Sequence, residues 1–360
     1  MRILHVITSL QTGGAEHLMV DLLPRMASNN DTTVDLLVFS GERTPFMDEL
    51  ESQGITIYKL TSGGGVYNPS NIVKMMRYLG NYDIIHTHNT ATQVYVPLSC
   101  LFLHSKVKLV TTEHGIKSKR RSLWWFKPID RWVYNQYGAI VCIADQSRSI
   151  FEQYIGKKDN IYTIYNGIDV QRFVRPIRSV EGKDRFIITM VAAFRQEKDH
   201  GTVLRAMSLL PENYRLQLVG DGVEKDAIQS LAISLGLEKR VSFLGVRQDV
   251  PDILEQSDVA VLSSHWEGFG LAAVEAMAAC RPVVASDVGG LRNVVGGAGL
   301  LFPHGDEKEL AEKIQWLCEH PDEYREVAER CQEKARQYDI SVTADKYLEL
   351  YEKLLNKSSK

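Results

Sequence analysis

Two glutamates that could do chemistry, Glu267 and Glu275, lie in the stretch Ser263 to Cys280, which reads SSHWEGFGLAAVEAMAAC. Glu267 precedes an alanine-rich segment predicted to be helical, and Glu275 falls just past the first turn of that segment. The glycines on either side of Phe269 let the backbone approach a ligand closely. Free N–H groups at a helix start favour phosphate. A carboxylate in front of such a helix start therefore indicates a ligand with both phosphate and hydroxyl groups, as in a sugar nucleotide.

Short apolar runs that alternate with helical patterns must position these residues. Such runs predict parallel sheets covered on both faces by helices. The first series of predicted strands is Ile3–Thr8, Thr33–Phe39, Ile55–Leu60, Ile84–Thr87, Val107–Thr112, Ile140–Ile143 and Ile161–Ile164. The second series is Phe186–Val191, Leu216–Val219, Val241–Leu244, Val259–Leu262, Val283–Ser286 and Leu300–Phe302. Ligands of doubly wound sheets bind at the carboxyl ends of the strands.

The polar segment between the two series of predicted strands contains Pro176 and Gly182, and its composition predicts a linker. We therefore expect an N-terminal doubly wound domain at residues 1–173, a linker at 174–185, and a second doubly wound domain at 186–338. A cleft is expected between the domains. The last helical pattern, at residues 339–360, has no strand after it and is expected to pack back as a cap on the first domain.

Composition narrows the functional class. The chain has 360 residues, a net charge of −3 and a pI of about 6.4, so no nucleic-acid partner is expected. Five scattered cysteines without a CxxC pair predict free thiols in a reducing compartment. The N-terminus has no signal-peptide layout, and the longest apolar run, Val94 to Leu103, is too short to span a bilayer. We therefore expect a cytoplasmic protein.

Polar residues follow several predicted strands of both domains. In the second domain, Arg195 and Lys198 follow the first strand and could hold a diphosphate, since arginine offers a fork of donors and lysine a point charge. In the first domain, His86, His88 and His114 end two strands. No HExxH motif or cysteine set accompanies these histidines, so zinc is not expected. They are either hydrogen-bonding groups of a site or structural histidines.

A basic and aromatic cluster follows the strand that ends near His114. It combines Lys119, Arg120 and Arg121 with Trp124 and Trp125. Cationic and aromatic side chains together suit the lipid–water interface. The same composition could meet a phosphate or an RNA strand, or form a solvated loop whose tryptophans turn inward.

Taken in order, the motifs resemble glycosyltransferase family 4, the retaining nucleotide-sugar transferases of GT-B fold. The similarity covers nearly the whole chain: GGAE, TEHG, NGID, EKDH, GDG, FLG followed by Asp249-Val250-Pro251, the E-x7-E around GFG, and PVVASDVGG. The E-x7-E with GFG between its glutamates is the most specific of them. The resemblance implies an α/β fold of GT-B type.

The resemblance also implies roles for single residues. His114 would contact the donor sugar, Lys198 would hold the diphosphate, and Glu267 would bind the sugar hydroxyls; these three form the expected catalytic set. Glu275 would bind the ribose hydroxyls, and Val246 would lie beside the base. The remaining expected donor-binding residues are Gly14, Arg195, Asp221 and the backbone N–H groups of Phe269, Gly270 and Leu271.

The sequence departs from the family pattern at two places. The family usually has an arginine five residues before the lysine, where this chain has Ala193, so Arg195 would reach the phosphates from a different point. Arg292-Asn293 stands where the family often has a glutamate. The expected diphosphate site therefore depends chiefly on Lys198 and the helix start.

The reaction that the resemblance implies is transfer of a sugar, with retention, from a nucleotide-diphosphate sugar to a hydroxyl of a glycan or lipid-linked acceptor. We expect a role in cell-surface polysaccharide synthesis, peripheral contact with the inner face of the cytoplasmic membrane through the basic and aromatic cluster, and neither cofactor nor metal. Two alternatives remain at this point: a sugar-nucleotide 2-epimerase of the same fold, and a non-catalytic partner that binds nucleotide or membrane.

Overall fold

The computed structural model describes residues 1–11, 13–62, 65–103, 107–115 and 124–356. The chain divides into two compact units. Unit 1 contains Met1–Gly167 and Ile340–Lys360, and unit 2 contains Ile168–Asp339. Each unit is built around one parallel sheet covered by helices, which confirms the expected α/β class with two doubly wound sheets.

Unit 1 contains a seven-stranded sheet. Its strands are β1 (Arg2–Ile7), β2 (Thr33–Ser40), β3 (Thr56–Thr61), β4 (Ile84–His88), β5 (Lys108–Glu113), β6 (Ala139–Cys142) and β7 (Ile161–Thr163). The helices between them are α1 (Gly14–Ala27), α2 (Pro45–Ser52), α3 (Ser70–Leu79), α4 (Thr90–Leu101), α5 (Lys127–Asn135) and α6 (Asp145–Ile155). The strand order is β3-β2-β1-β4-β5-β6-β7. The direction of winding reverses between β1 and β4, and ligands of such sheets bind beyond the carboxyl ends of the strands at this point.

Unit 2 repeats the plan with six strands. These are β8 (Phe186–Val191), β9 (Tyr214–Val219), β10 (Val241–Gly245), β11 (Val259–Leu262), β12 (Val283–Ser286) and β13 (Leu300–Phe302). The helices are α7 (Val170–Phe173), α8 (His200–Leu209), α9 (Lys225–Ser234), α10 (Val250–Gln256), α11 (Leu271–Ala278), α12 (Gly289–Val295), α13 (Glu307–Glu319) and α14 (Pro321–Ala335). The order β10-β9-β8-β11-β12-β13 places the reversal between β8 and β11. All thirteen predicted strands are present, because strands buried on both faces need near-continuous apolar runs.

The last helix, α15 (Ile340–Asn356), belongs to unit 1. Ala344, Tyr347 and Tyr351 are buried in one core cluster with Leu22 and Leu23 of α1. The apolar face of α15 therefore completes the first sheet's covering layer, although the whole of unit 2 separates it from that sheet in sequence.

The predicted domain boundaries differ from those of the structure. Unit 2 begins at Ile168, so residues 168–173 and the whole predicted linker, 174–185, belong to it. Arg178 donates to the fully buried carboxylate of Asp258 at 3.1 Å, and Arg175 donates to Glu255 at 3.0 Å. The polar segment thus packs against unit 2, because its cations find carboxylates about 80 residues later in the chain.

Candidate functional site

Hydrogen bonds connect the loop after β11 to the turn after β8. The hydroxyl group of Ser263 lies within donating distance of the carbonyl oxygens of Lys198 (3.0 Å) and Asp199 (2.8 Å). The backbone N–H of His265 donates to the carbonyl oxygen of Glu197 at 2.9 Å. The two segments that leave the switch point of this sheet therefore form one surface.

An ion pair occupies this surface. Lys198 Nζ donates to Glu267 Oε2, and the two side chains are only 23% and 16% exposed. The second carboxylate oxygen of Glu267 accepts the N–H of Gly268 at 3.2 Å. Asp199, in a left-handed conformation with φ 47°, caps α8 by accepting the N–H of Thr202 at 3.2 Å. The structure thus brings together the predicted cation and carboxylate, where partial burial strengthens their interaction.

Two glycines bring the loop close to its neighbours. Gly270, with φ 98°, precedes α11, and a Cβ there would lie 2.7 Å from Leu291 Cδ2. A Cβ on Gly290 would lie 2.5 Å from the carbonyl oxygen of Glu267. No side chain of the described residues caps the start of α11, so its first N–H groups and the helix dipole can receive an anionic group. Glu275, in the same helix, is 8% exposed.

The ring of Phe269 is buried inside unit 2 and is not available to contact a ligand. It is 3% exposed and packs edge-on against Tyr338, with ring centroids 5.3 Å apart and an interplanar angle of 83°. The phenyl group therefore anchors the loop within unit 2. The predicted contributions of Phe269, Gly270 and Leu271 are contributions of backbone N–H groups, and they stay predictions.

Three other predicted donor residues lie at neighbouring strand ends of unit 2. The carboxylate of Asp221 accepts the N–H of Gly222 at 2.7 Å and Lys225 Nζ at 3.2 Å, and the backbone hydrogen bond lowers the pKa of Asp221. It thus stabilises its own turn, a role that the sequence analysis did not assign. Val246 follows β10 and is 61% exposed. The Arg195 side chain is also 61% exposed, with Nη1 4.0 Å from Glu197 Oε1.

In unit 1 the predicted residue His114 ends a hydrogen-bonded row of imidazoles. Its Nε2 lies 2.9 Å from His88 Nδ1, and His88 Nε2 lies 2.9 Å from His5 Nδ1. His86 lies tilted beside the row, and its two nitrogens lie 2.5 Å from the Tyr351 hydroxyl and 2.7 Å from Thr112 Oγ1. Three adjacent strands, β1, β4 and β5, supply or precede these rings, so the parallel register brings them together.

Burial keeps these imidazoles neutral at physiological pH. It lowers the pKa of His5 to about 3 and that of His114 to about 4, and it lowers the pKa values of His86 and His88 well below the usual range. Nitrogens of His5, His86 and His88 lie within 4.8 Å of one another, a spacing that a metal ion could use. In the structure the nitrogens of His86 and His88 are all engaged by protein groups instead.

Comparison with known proteins identifies the chain. The profile described as Glycosyltransferase Family 4 matches residues 12–172, and the one described as Glycosyl transferases group 1 matches residues 171–338. A D-inositol 3-phosphate glycosyltransferase of Corynebacterium urealyticum is 30% identical over 308 residues, covering 76% of this chain and 72% of that protein. The chain belongs to glycosyltransferase family 4.

Other relatives of this glycosyltransferase support the assignment. An Escherichia coli UDP-Gal:alpha-D-GlcNAc-diphosphoundecaprenol alpha-1,3-galactosyltransferase is 29% identical over 229 residues, which cover 58% of this chain and 59% of that protein. The crystal structure of Anabaena Alr3699/HepE in complex with UDP and glucose has a TM-score of 0.86 at 24% identity and covers 98% of this chain and all of that one. The latter similarity confirms the GT-B fold.

The sequence analysis of this glycosyltransferase missed His5. The signal was a histidine among the apolar, buried residues that follow Arg2 in β1, where an imidazole needs a partner. Gly14, predicted to approach the donor or the acceptor, is the first residue of α1 and follows Gly13, whose backbone is extended. Its predicted role stays a prediction.

The basic residues of the predicted acceptor or membrane cluster, Lys119, Arg120 and Arg121, lie outside the described residues. Its two tryptophans form a 3₁₀ turn before α5, where Trp124 is 85% exposed and Trp125 is 50% exposed. They point outward, and the interpretation with inward-turned tryptophans is wrong for Trp124. Ile129 and Trp132 of α5 are also exposed. Among the residues that the structure describes, none of the helices combines the length and apolarity needed to cross a bilayer.

Proposed function

We propose that this glycosyltransferase moves a sugar from a nucleotide-diphosphate sugar to an acceptor hydroxyl with retention at the anomeric carbon. The observation that carries the proposal is the Lys198–Glu267 pair in front of the uncapped start of α11. The departing diphosphate needs cationic and N–H donors, which Lys198 and the helix start offer, and the sugar needs hydroxyl partners, which Glu267 offers. Because these groups can neutralise the diphosphate, we propose that the reaction needs no metal.

UDP-glucose is the donor to test first, since the solved relative from Anabaena binds UDP and glucose. The test measures UDP release from UDP-glucose by the full chain, together with the anomeric configuration of the product by proton NMR. Lys198→Ala and Glu267→Ala should each lower turnover by at least about 10²-fold, as expected when an electrostatic stabiliser is lost. If both variants keep wild-type turnover, the assignment of Lys198 and Glu267 to the active site is wrong.

A matched control is available in unit 2. Lys313 and Glu309 form a partly exposed i,i+4 pair at 3.1 Å on α13, away from the Lys198–Glu267 pair in sequence. Lys313→Ala and Glu309→Ala should leave turnover unchanged, because such a surface pair contributes only about 0.3–0.5 kcal/mol to stability. An epimerised UDP-sugar in the absence of any acceptor would favour the 2-epimerase alternative over glycosyl transfer.

We propose a lipid-linked or surface-glycan acceptor, reached while the protein is peripherally bound to the inner face of the cytoplasmic membrane. The printed name of the E. coli relative, which includes a diphosphoundecaprenol acceptor, supports this class. The exposed Trp124 and Trp125 support the membrane contact, since such rings sit at the lipid–water interface.

Flotation with phosphatidylglycerol vesicles tests this contact. Replacing Trp124 and Trp125 by serine should abolish binding to the vesicles. Replacing Lys119, Arg120 and Arg121 by serine should leave weak vesicle binding that no longer depends on the salt concentration. Trp316→Ser is the control, because Trp316 is a partly exposed tryptophan of α13 in unit 2. Flotation that is unchanged by the Trp124 and Trp125 substitutions would refute the proposed membrane surface.

A further inference from the structure

We propose that His5 and His88 are positioning residues that fix the tautomer of His114, so that His114 presents an N–H donor at Nδ1. The inference rests on the proposed function and on the role that the family resemblance implies for His114, contact with a hydroxyl oxygen of the donor sugar. It gives a role to His5 and His88, two side chains that are both 0% exposed and have no part in the proposed reaction itself.

The row has two hydrogen bonds and three rings. His5 Nδ1 faces His88 Nε2 at 2.9 Å, and His88 Nδ1 faces His114 Nε2 at 2.9 Å. Each contact requires one nitrogen with a proton and one with a lone pair. Since burial lowers all three pKa values, each ring is neutral and carries a single proton. The tautomers of the three rings are therefore coupled, and choosing one fixes the other two.

Only two arrangements satisfy both contacts. In the outward arrangement His5 Nδ1–H donates to His88 Nε2, His88 Nδ1–H donates to His114 Nε2, and the remaining proton lies on His114 Nδ1. In the inward arrangement every bond is reversed, and the remaining proton lies on His5 Nε2. Both terminal nitrogens, His5 Nε2 and His114 Nδ1, are buried without a hydrogen-bond partner among the described residues.

The surroundings of the two ends favour the outward arrangement. His5 is fully buried between apolar neighbours of β1, whereas His114 is a partly exposed residue at the end of β5. An unpaired N–H sealed in a core is rarer and costlier than an unpaired lone pair. The proton therefore belongs at the His114 end, on the one partly exposed residue of the row, and a hydroxyl oxygen would accept it once His114 Nδ1 is uncovered.

The backbone holds the middle ring in place. Thr92 Oγ1 donates to the carbonyl oxygen of His88, and the next residue, Asn89, has φ 74° and ψ 154°, a region that non-glycine residues rarely adopt. Asn89 Nδ2 donates to Thr8 Oγ1 at 3.0 Å, which ties the end of β4 to the segment after β1. A strained conformation that neighbouring contacts maintain is typical of a site where side-chain placement matters.

The neighbouring ring of His86 does not belong to the row. Its ring centroid lies 4.3 Å from that of His88, but its two nitrogens face the Tyr351 hydroxyl and Thr112 Oγ1. Tyr351 therefore offers a matched control, because Tyr351→Phe removes a buried hydrogen bond in the same core and leaves both contacts of the row intact.

The test is nitrogen-15 NMR of the full chain with labelled histidine, at neutral pH and without nucleotide, with His114 assigned by its loss in His114→Gln. We expect Nδ1-protonated, Nε2-unprotonated His114 in the wild type and in Tyr351→Phe. His88→Phe and His5→Phe should each give a mixture of the two tautomers. Two separate variants keep the test valid if one of them fails to fold, which circular dichroism would show.

Several results would overturn the proposal. The first is a His114 that is protonated at Nε2 in the wild type, and the second is a His114 tautomer that stays the same in both His5→Phe and His88→Phe. The third is a change of the His5 and His88 signals on addition of zinc that EDTA reverses, because it would indicate a metal site. UDP-glucose affinity separates this inference from the proposed function. We expect about tenfold weaker binding in His5→Phe, the loss of about one hydrogen bond. If the NMR result holds but His114→Gln binds UDP-glucose like the wild type, the proposed sugar contact is overturned and the tautomer coupling stands.

Discussion

Gly290→Ala tests whether the loop that carries Glu267 must keep its position. The added Cβ would lie 2.5 Å from the Glu267 carbonyl oxygen and 2.8 Å from the carbonyl carbon of Gly268. Both are backbone atoms, so no flexible side chain can move aside. The loop or α12 must therefore shift by roughly 0.5 Å or more to restore a 3.0 Å contact.

The expected cost follows from this displacement. Overpacking of a well-packed region costs about 1–3 kcal/mol of unfolding free energy. For a unit of this size each kcal/mol lowers Tm by about 2–4 °C, so we expect a decrease of about 2–12 °C. Because misplacing a reacting group by about 1 Å can cost about 10²-fold in rate, turnover of UDP-glucose should fall by about 10- to 100-fold.

Two assays on the same preparation measure these effects: differential scanning fluorimetry for Tm, and UDP release for turnover. Gly80→Ala is the control, since its Cβ meets nothing within 4 Å and its φ of −70° suits alanine. That variant should keep turnover and gain up to about 1 kcal/mol. Wild-type Tm and turnover in Gly290→Ala would refute the packing described here. A lower Tm with unchanged turnover would instead show that the position of Glu267 does not control the reaction.

Three further outcomes are expected. Burial lowers the pKa of His114 to about 4, so as the pH falls the unfolded chain binds a proton at this histidine before the folded chain does. The unfolding free energy, measured by urea titration, should therefore fall by about 1.4 kcal/mol per pH unit between about pH 6.5 and pH 4 for each histidine whose pKa is lowered in this way. Tyr351→Phe should lower the unfolding free energy by about 1–3 kcal/mol in the same titration, because His86 Nδ1 loses its partner. By calorimetry, Arg195→Ala should weaken UDP affinity less than Lys198→Ala does, since Arg195 is 61% exposed and solvent screens its charge.

The sheets could be predicted because burial on both faces imposes a local pattern. Most of the thirteen strands contain a short apolar run, and α11 begins between the two glutamates of the E-x7-E pattern, as expected. The contact between Lys198 and Glu267, which are 69 residues apart in the chain, lies at the switch point between β8 and β11, and the sequence analysis did not predict it. Local sequence therefore sufficed for the strands, because burial alone sets their pattern of apolar residues.

Contacts between residues distant in sequence could not be predicted in the same way. The row from His5 to His114 depends on the register of β1 against β4, in which His5 lies opposite His86. The predicted linker looked solvent-exposed because the carboxylates that Arg175 and Arg178 meet come about 80 residues later. The inward ring of Phe269 likewise depends on Tyr338, near the end of unit 2.

The Lys198–Glu267 pair makes one prediction that separates binding from catalysis. A diphosphate placed near Lys198 Nζ also feels the carboxylate of Glu267, which cancels part of the lysine's attraction. Glu267→Gln removes that negative charge and keeps the side chain's shape. Because the pair is only partly buried and salt screens it, the gain in UDP affinity should be about 1 kcal/mol, or about fivefold.

The same substitution should lower UDP-glucose turnover by at least about 10²-fold, because a carboxylate accepts sugar hydroxyl protons more strongly than an amide does. Tighter UDP binding, measured by calorimetry, with slower turnover would thus place Lys198 on the diphosphate and Glu267 on the sugar. If UDP affinity instead falls together with turnover, Glu267 serves mainly to hold Lys198 in position, and the assignment of Glu267 to the sugar hydroxyls is wrong.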